Sequence, residues 1–371
     1  SSSVSVSVSA ADVSFKGSTL TATGSDHAYG GGLYVIHNPG ISVTSASYHF
    51  KGCNFTDALL TSEDGAALGG GVLLKYYGSV ASAVHEFDGC LFERNRLESS
   101  GANAAGGGFM LVTYQAAINV RTRFVRTVFR ANSLMTEADG RPAVQGAGVE
   151  IEHQLGATNL SLLVDGCTFE SNLAEAPHGK ADGGGLDLAM GGLGGEFVGV
   201  EVRMVRTRFT NNTLSAGGEG GFAEGAGANL HYQESARVAS VRHELIECAF
   251  ESNRALVTGS GGQANGGGLE GETDGVQVIA GFVTLIADST FKANQAAVDP
   301  RAGGGTDSYG GGLRVYIGEP GITRAASGVR TIVRTSRFIA NACGGSGAGA
   351  YVESDGTAVG LWSTLLEQCT F

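Results

Sequence analysis

A six-residue phrase recurs along this chain: CLFERN at 90–95, CTFESN at 167–172, CAFESN at 248–253 and STFKAN at 289–294. Aligned on its phenylalanine, the series runs Phe15, Phe55, Phe92, Phe129, Phe169, Phe209, Phe250, Phe291, Phe338 and Phe371. The steps are 40, 37, 37, 40, 40, 41, 41, 47 and 33 residues. Length alone would suggest two or three domains for 371 residues. A sustained period near 40 points instead to a repeat array, which grows along one axis with each unit resting on its neighbours. The expected unit is a single domain over residues 1–371.

A second landmark keeps step with the first. GGGL occurs at 30–33, 183–186, 266–269 and 310–313, GGGV at 69–72, GGGF at 106–109, GAGV at 146–149, and GAGA at 225–228 and 347–350. The residue closing each tetrad is apolar: Leu33, Val72, Phe109, Val149, Leu186, Ala228, Leu269, Leu313, Ala350. Two positions on stand Val35, Leu74, Leu111, Ile151, Leu188, Leu230, Gly271, Val315 and Val352. Between them the column is mixed: Tyr34, Leu73, Met110, Glu150, Asp187, Asn229, Glu270, Arg314, Tyr351. Alternation with a period of two defines a strand with one buried face, which sends the mixed column outward.

Five residues before each phenylalanine of the phrase the chain is large and apolar, as at Phe50, Phe87, Phe124, Val164 and Met204, and two before it is small: Cys53, Cys90, Thr127, Cys167, Thr207, Cys248, Ser289, Ser336, Cys369. This spacing breaks the alternation and predicts a bend or bulge between, where Asp-Gly stands at 88–89 and 165–166. Helical periodicity is not sustained, and glycine and β-branched residues oppose it. Two or three strands per repeat with one inward face stack most compactly as a parallel β-helix, the all-β fold class expected here. About nine coils at about 4.8 Å each would make a rod on the order of 43 Å long. The variable stretches 133–145 and 295–309 are expected to be corner loops.

Stacking puts like residues on lines along the rod. Phe92, Phe129, Phe169, Phe209, Phe250, Phe291 and Phe338 are expected to stack in the core. Asn95, Asn132, Asn172, Asn212, Asn253, Asn294 and Asn341, three residues after each, are expected to form an amide ladder at a corner. Ala58 and Ser18 break that column. The glycines suit a corner that needs positive φ or close backbone approach. The Cys/Thr/Ser column describes a small inward slot holding free thiols, with Cys53 and Cys90 on adjacent coils where a disulfide is the alternative.

Composition narrows the function. The net charge of −12 and the lack of a basic cluster argue against nucleic acid. No run of 18 apolar residues is present to span a membrane as a helix. Six cysteines without C-x-x-C spacing and eight scattered histidines do not suggest zinc. No cofactor is expected.

The glycine tetrad followed in each repeat by F-x-x-N, written here as FERN, FRAN, FESN, FTNN, FKAN and FIAN, resembles the repeats of the chlamydial polymorphic outer membrane proteins, whose signatures are G-G-A-I and F-x-x-N. The resemblance runs the length of the chain, with Gly here where that family has Ala. It implies a right-handed parallel β-helix displayed at a cell surface and used in adhesion or surface structure. The chain also begins and ends in mid-coil, as a fragment of a longer rod would.

The leading expectation is therefore a non-enzymatic structural or adhesive rod, extracellular or at a cell surface, whose partners are other protein chains, further domains of its own chain, or surface glycans. The outward positions support it: Tyr34, Ile36, Leu73, Met110 and Val112 would give the first coils an exposed apolar stripe fit for a partner, or for a corner loop of the same coil. The alternative is a carbohydrate-active enzyme of the pectate-lyase or glycoside-hydrolase kind. Glu150, Glu152, Asp187, Glu270 and Glu272, with Asn229 and His231 between, would supply an acid–base pair or calcium ligands. Solvated surface charge is the plainer reading of these five carboxylates.

Overall fold

The computed structural model describes residues 2–138, 142–192, 194–299, 307–318, 322–354 and 362–371, and among them every regular element is a strand. Five parallel sheets run along one axis. A representative rung contains Ala83–Asp88, Leu91–Glu93, Arg96–Ser99, Ala104–Ala105 and Phe109–Thr113, one strand from each sheet in turn. The second, third and fifth sheets hold nine strands each, so eight full turns separate the first strand from the last. The chain is a parallel β-helix, with five short strands per turn where two or three were expected.

The additional strands lie partly in the stretches expected to be loops. Ser133–Thr136, Ala143–Gln145, Gln295–Val298 and Ser308–Tyr309 are strands of the third and fourth sheets. Residues 139–141 and 300–306 of those stretches lie outside the described residues. Two- to four-residue strands carry too few alternations to register as a period in sequence.

The broken spacing before each phenylalanine is a corner between the first and second sheets. At that position Gly89, Arg126, Gly166 and Arg206 all have φ between 48° and 62°. The small column then opens the second sheet. Thr127 Oγ1 donates to the carbonyls of Phe87, at 2.9 Å, and Val125, at 3.1 Å. Cys167 Sγ donates to the equivalent carbonyls of Phe124 and Asp165, at 3.3 and 3.5 Å. Cysteine, threonine and serine interchange there because each is small and offers one donor to the same two acceptors. Cys53 and Cys90 are free thiols.

The phenylalanines of the second sheet stack from Phe15 to Phe371 at centroid spacings between 4.6 and 5.0 Å. They join the inward residues of the first and fifth sheets in the main core. A narrower core of alanine and leucine fills the space between the third and fourth sheets. The asparagines stand between the second and third sheets, completely buried from Asn95 to Asn294. Each residue before them is left-handed, from Arg94 to Ala340, at φ 52° to 57°.

The glycine tetrad joins the fourth sheet to the fifth, and it is an inside corner. At Gly183, φ is +56° and an added Cβ would stand 2.4 Å from Cβ of Asp187; at Gly266, φ is +53° and the distance to Cβ of Glu270 is 2.6 Å. The chain doubles back so closely that the residue four positions on presses against the glycine. The outer faces of the fourth and fifth sheets therefore converge on a concave groove along the rod.

Candidate functional site

The groove buries side chains that alternation alone sends into solvent. Its floor is the mixed column of the fifth sheet, held in register from Tyr34 through Leu73, Met110, Glu150, Asp187, Asn229, Glu270 and Arg314 to Tyr351. Its other wall is the residue just before each tetrad, in register from Tyr29 and Leu68 to Asp182, Glu224 and Asn265. These facing columns change character from one end of the rod to the other.

At the amino-terminal end, Leu73, Met110 and Val112 are buried against Leu68 and Ala105, with Tyr29, Ala66 and Tyr114 packed around them. The exposed apolar stripe expected there is thus covered by the same coils, and only Tyr34 and Ile36, at 37% and 39%, remain open. Lys75 closes this end. Its Nζ donates to Tyr29 Oη at 3.2 Å and stands 4.4 Å and 4.9 Å from the ring centres of Tyr29 and Tyr77, an aromatic cage that this side chain itself fills.

On the central rungs the groove is charged. Glu150, Asp182, Asp187, Glu224, Glu270 and Glu272 are all buried. The cationic groups that reach these carboxylates among the described residues are Lys180 and Arg314. Lys180 Nζ lies 2.8 Å from Glu224 and 3.4 Å from Asp182. Arg314 Nη1 contacts Glu270 and lies 3.5 Å from Glu272. The solvated-charge reading of Glu150, Asp187, Glu270 and Glu272 is therefore corrected, because the inside corner removes them from water. Glu152 stays partly accessible and accepts a hydrogen bond from Gln154 Nε2 at 2.9 Å.

Such burial is expensive unless each charge is paired and hydrogen-bonded. Several groups here are not. Both oxygens of Glu150 and of Asp187, both amide atoms of Asn229, Oε2 of Glu270 and Nε2 of His231 are buried without a hydrogen bond. His231 Nε2 stands 3.7 Å from Asp187. Burial pushes the carboxyl of Glu150 well above its ordinary range, and repulsion from Asp187 adds to this. Burial raises Glu270 to about 8 against the pull of Arg314. It raises Glu272 too, reinforced by Glu224 and Glu270. At Glu224 burial works the same way, but Lys180 outweighs it and holds the carboxyl down at about 2. Burial lowers His231.

Two cavities open onto this region. One, of about 440 Å³, is lined by Gln145, Glu152, Gln154, His231, Gln233 and Glu234, among others. A second, of about 660 Å³, is lined by residues including Lys180, Phe222, Glu224, Gln263, Glu272, Tyr309, Arg314 and Tyr316. Gln233 and Glu234 border both, so the two form one trough along the rod.

Asp182, Glu224 and Lys180 were not among the residues expected at a site, since their strands are only three residues long. Their signal was positional: Asp182 and Glu224 each immediately precede a tetrad glycine. Fold and trough together define a parallel β-helix with a differentiated axial groove. No protein-family description, curated protein or solved structure matches this chain.

Proposed function

We propose that the protein is a non-catalytic adhesive rod of a cell surface that grips a neutral polysaccharide in its central trough. The observation that carries this reading is the contrast between columns. Inward residues repeat rung after rung, whereas the groove residues change and collect buried polar groups beside open cavities. Buried polar groups without partners are costly, and a ligand that supplies partners offsets that cost. An elongated trough suits a linear polymer. Phe222 and Gln263 line the trough with a ring for sugars and an amide for hydroxyls, beside Tyr309 and Tyr316, whose rings Arg314 approaches at 5.8 and 4.9 Å, and Gln233, whose Nε2 lies 3.0 Å from His231 Nδ1. The excess of carboxylates over cations repels an acidic chain.

Affinity electrophoresis tests the reading. The protein should be retarded in gels containing a neutral glucan or mannan, and Tyr316→Ala with Gln233→Ala should abolish the retardation. Equal mobility in every polysaccharide, or retardation that survives both substitutions, refutes it, and capture of a protein ligand at the trough would replace it.

One observation favours a hydrolytic reading. Oxygens of Glu224, Glu270 and Glu272 lie within 4.8 Å of one another, near the roughly 5 Å carboxyl separation of retaining glycosidases. Release of reducing ends by the wild type and its loss in Glu270→Gln would establish an enzyme in place of a binding rod.

A further inference from the structure

Glu224 belongs to the fourth sheet, and Glu270 and Glu272 to the fifth sheet on the neighbouring rung. One oxygen from each lies within 4.8 Å of the other two. Oxygens that share a calcium ion at about 2.3–2.6 Å are at most about 5 Å apart, so this spacing fits a common ion. All three residues are more than nine-tenths buried, and Glu224 and Glu272 border the open 660 Å³ cavity, which supplies a path for entry.

Proximity of carboxylates alone would not make a site. The second observation is Asn229. It is paired in register with Glu270 on the adjacent rung and fully buried, and neither atom of its amide has a hydrogen-bond partner. Oε2 of Glu270 is likewise unpartnered, because Arg314 takes the other oxygen. Three carboxylates and an unpartnered amide on the rung next to Glu270 make a hard, all-oxygen donor set of the kind calcium takes. Its donors come from two sheets and do not impose the tight octahedron that magnesium demands.

We propose that Glu224, Glu270 and Glu272, with the amide oxygen of Asn229, form a binding site for a single calcium ion. Lys180 and Arg314 are its built-in competitors. Arg314 contacts Glu270 and approaches Glu272 on one side of the cluster, and Lys180 holds Glu224 on another. The ion adds positive charge where carboxylates outnumber these two cations. The site stands independently of the polysaccharide reading, and its test needs no glycan.

The test is isothermal titration of CaCl2 and of MgCl2 into the chelator-treated full chain, checked by terbium luminescence excited through tyrosine, since Tyr309 and Tyr316 line the same cavity. The expected result is one saturable calcium site, with magnesium at least about tenfold weaker. Glu270→Gln should weaken calcium by about tenfold or more, while Glu150→Gln, outside the cluster, leaves it unchanged. Arg314→Gln should tighten it by removing the competitor, and this variant decides the matter if Glu270→Gln fails to fold. No saturable binding to the wild type at millimolar calcium overturns the site. So does a folded Glu270→Gln of unchanged affinity, or weaker binding in Arg314→Gln.

Discussion

Nδ2 of Asn132 donates to Oδ1 of Asn172, one rung away, at 3.0 Å, and that oxygen also accepts the backbone N–H of Asn132 at 3.2 Å. Nδ2 of Asn172 in turn donates to the carbonyl of Phe129 and to Oδ1 of Asn212. Removing the Asn172 amide therefore leaves the buried backbone N–H of Asn132 without its acceptor and takes one bond each from Asn132 Nδ2, which keeps the Phe92 carbonyl, and from Asn212 Oδ1, which keeps the Asn172 N–H. Asn172→Ala is expected to cost about 3–5 kcal/mol, at about 1–3 kcal/mol for the stranded N–H and about 1 kcal/mol for each further bond lost. Asn341, partly buried at the end of the described ladder, should cost less, and urea denaturation of the two variants measures the difference.

The tetrad glycines predict a different contrast. Gly183 and Gly166 have similar φ, +56° and +62°, but an added Cβ meets Asp187 at 2.4 Å in the first case and nothing nearer than 3.8 Å in the second. Gly166→Ala should cost only the left-handed strain, about 1–2 kcal/mol. Arg126 and Arg206 already adopt that conformation at the equivalent position. Gly183→Ala must also push apart the two walls of the groove, and its thermal midpoint should fall well below that of Gly166→Ala.

The buried slot cysteines Cys90, Cys167 and Cys248 should be chemically silent in the folded protein. Burial pushes the thiols of Cys90 and Cys167 up to about 12 and that of Cys248 to about 11, so the reactive thiolate is scarce at neutral pH. A thiol-specific reagent at pH 8 should leave these three unmodified until denaturant is added, and should label the partly exposed Cys343 and Cys369 first. Cys167→Ser keeps the donor to Phe124 and Asp165 and should stay within about 1 kcal/mol of wild type, whereas Cys167→Leu overpacks the slot by about 1–3 kcal/mol.

Three buried histidines set an acid limit. Nε2 of His85 lies 2.9 Å from Tyr76 Oη, and Nε2 of His243 lies 3.0 Å from Tyr232 Oη. Burial lowers His85 and His243 from 6.5 to about 3, and His153 to about 4. The folded chain keeps these rings neutral while the unfolded chain protonates them below about 6.5. Their contribution is complete above that pH and is lost as pH falls toward the folded values, by about 1.4 kcal/mol per pH unit for each ring. The carboxyls of Glu150, Glu270 and Glu272, which burial raises, act in the opposite sense over this range, so the histidine contribution is read by difference: between pH 7 and pH 4 the urea midpoint of His243→Gln should fall less, or rise more, than that of the wild type. The same pH slope in both proteins would contradict the assignment.

How far the sequence carries can be judged from particular columns. Phe169 and Asn172 were legible because stacking demands the same residue on every rung, and repetition is visible without coordinates. The corner before each phenylalanine was legible as a break in alternation at Gly89 and Gly166. The burial of Glu150 and Glu270 was not, because a period of two gives only the face a residue occupies. Whether that face meets water depends on the turn at Gly183 or Gly266. Glu224 and Lys180 escaped notice for a related reason: strands this short have no period, and their partners across the groove lie on another sheet.

The most direct measurement of the central claim is a crystal structure of the protein with a neutral linear hexasaccharide. The trough account predicts the sugar chain along the rod, its rings against Tyr316 and Phe222 and its hydroxyls on Gln233, bridging the two cavities that this residue borders. A sugar seated on the outer face of another sheet, or an empty trough at saturating ligand, would contradict it.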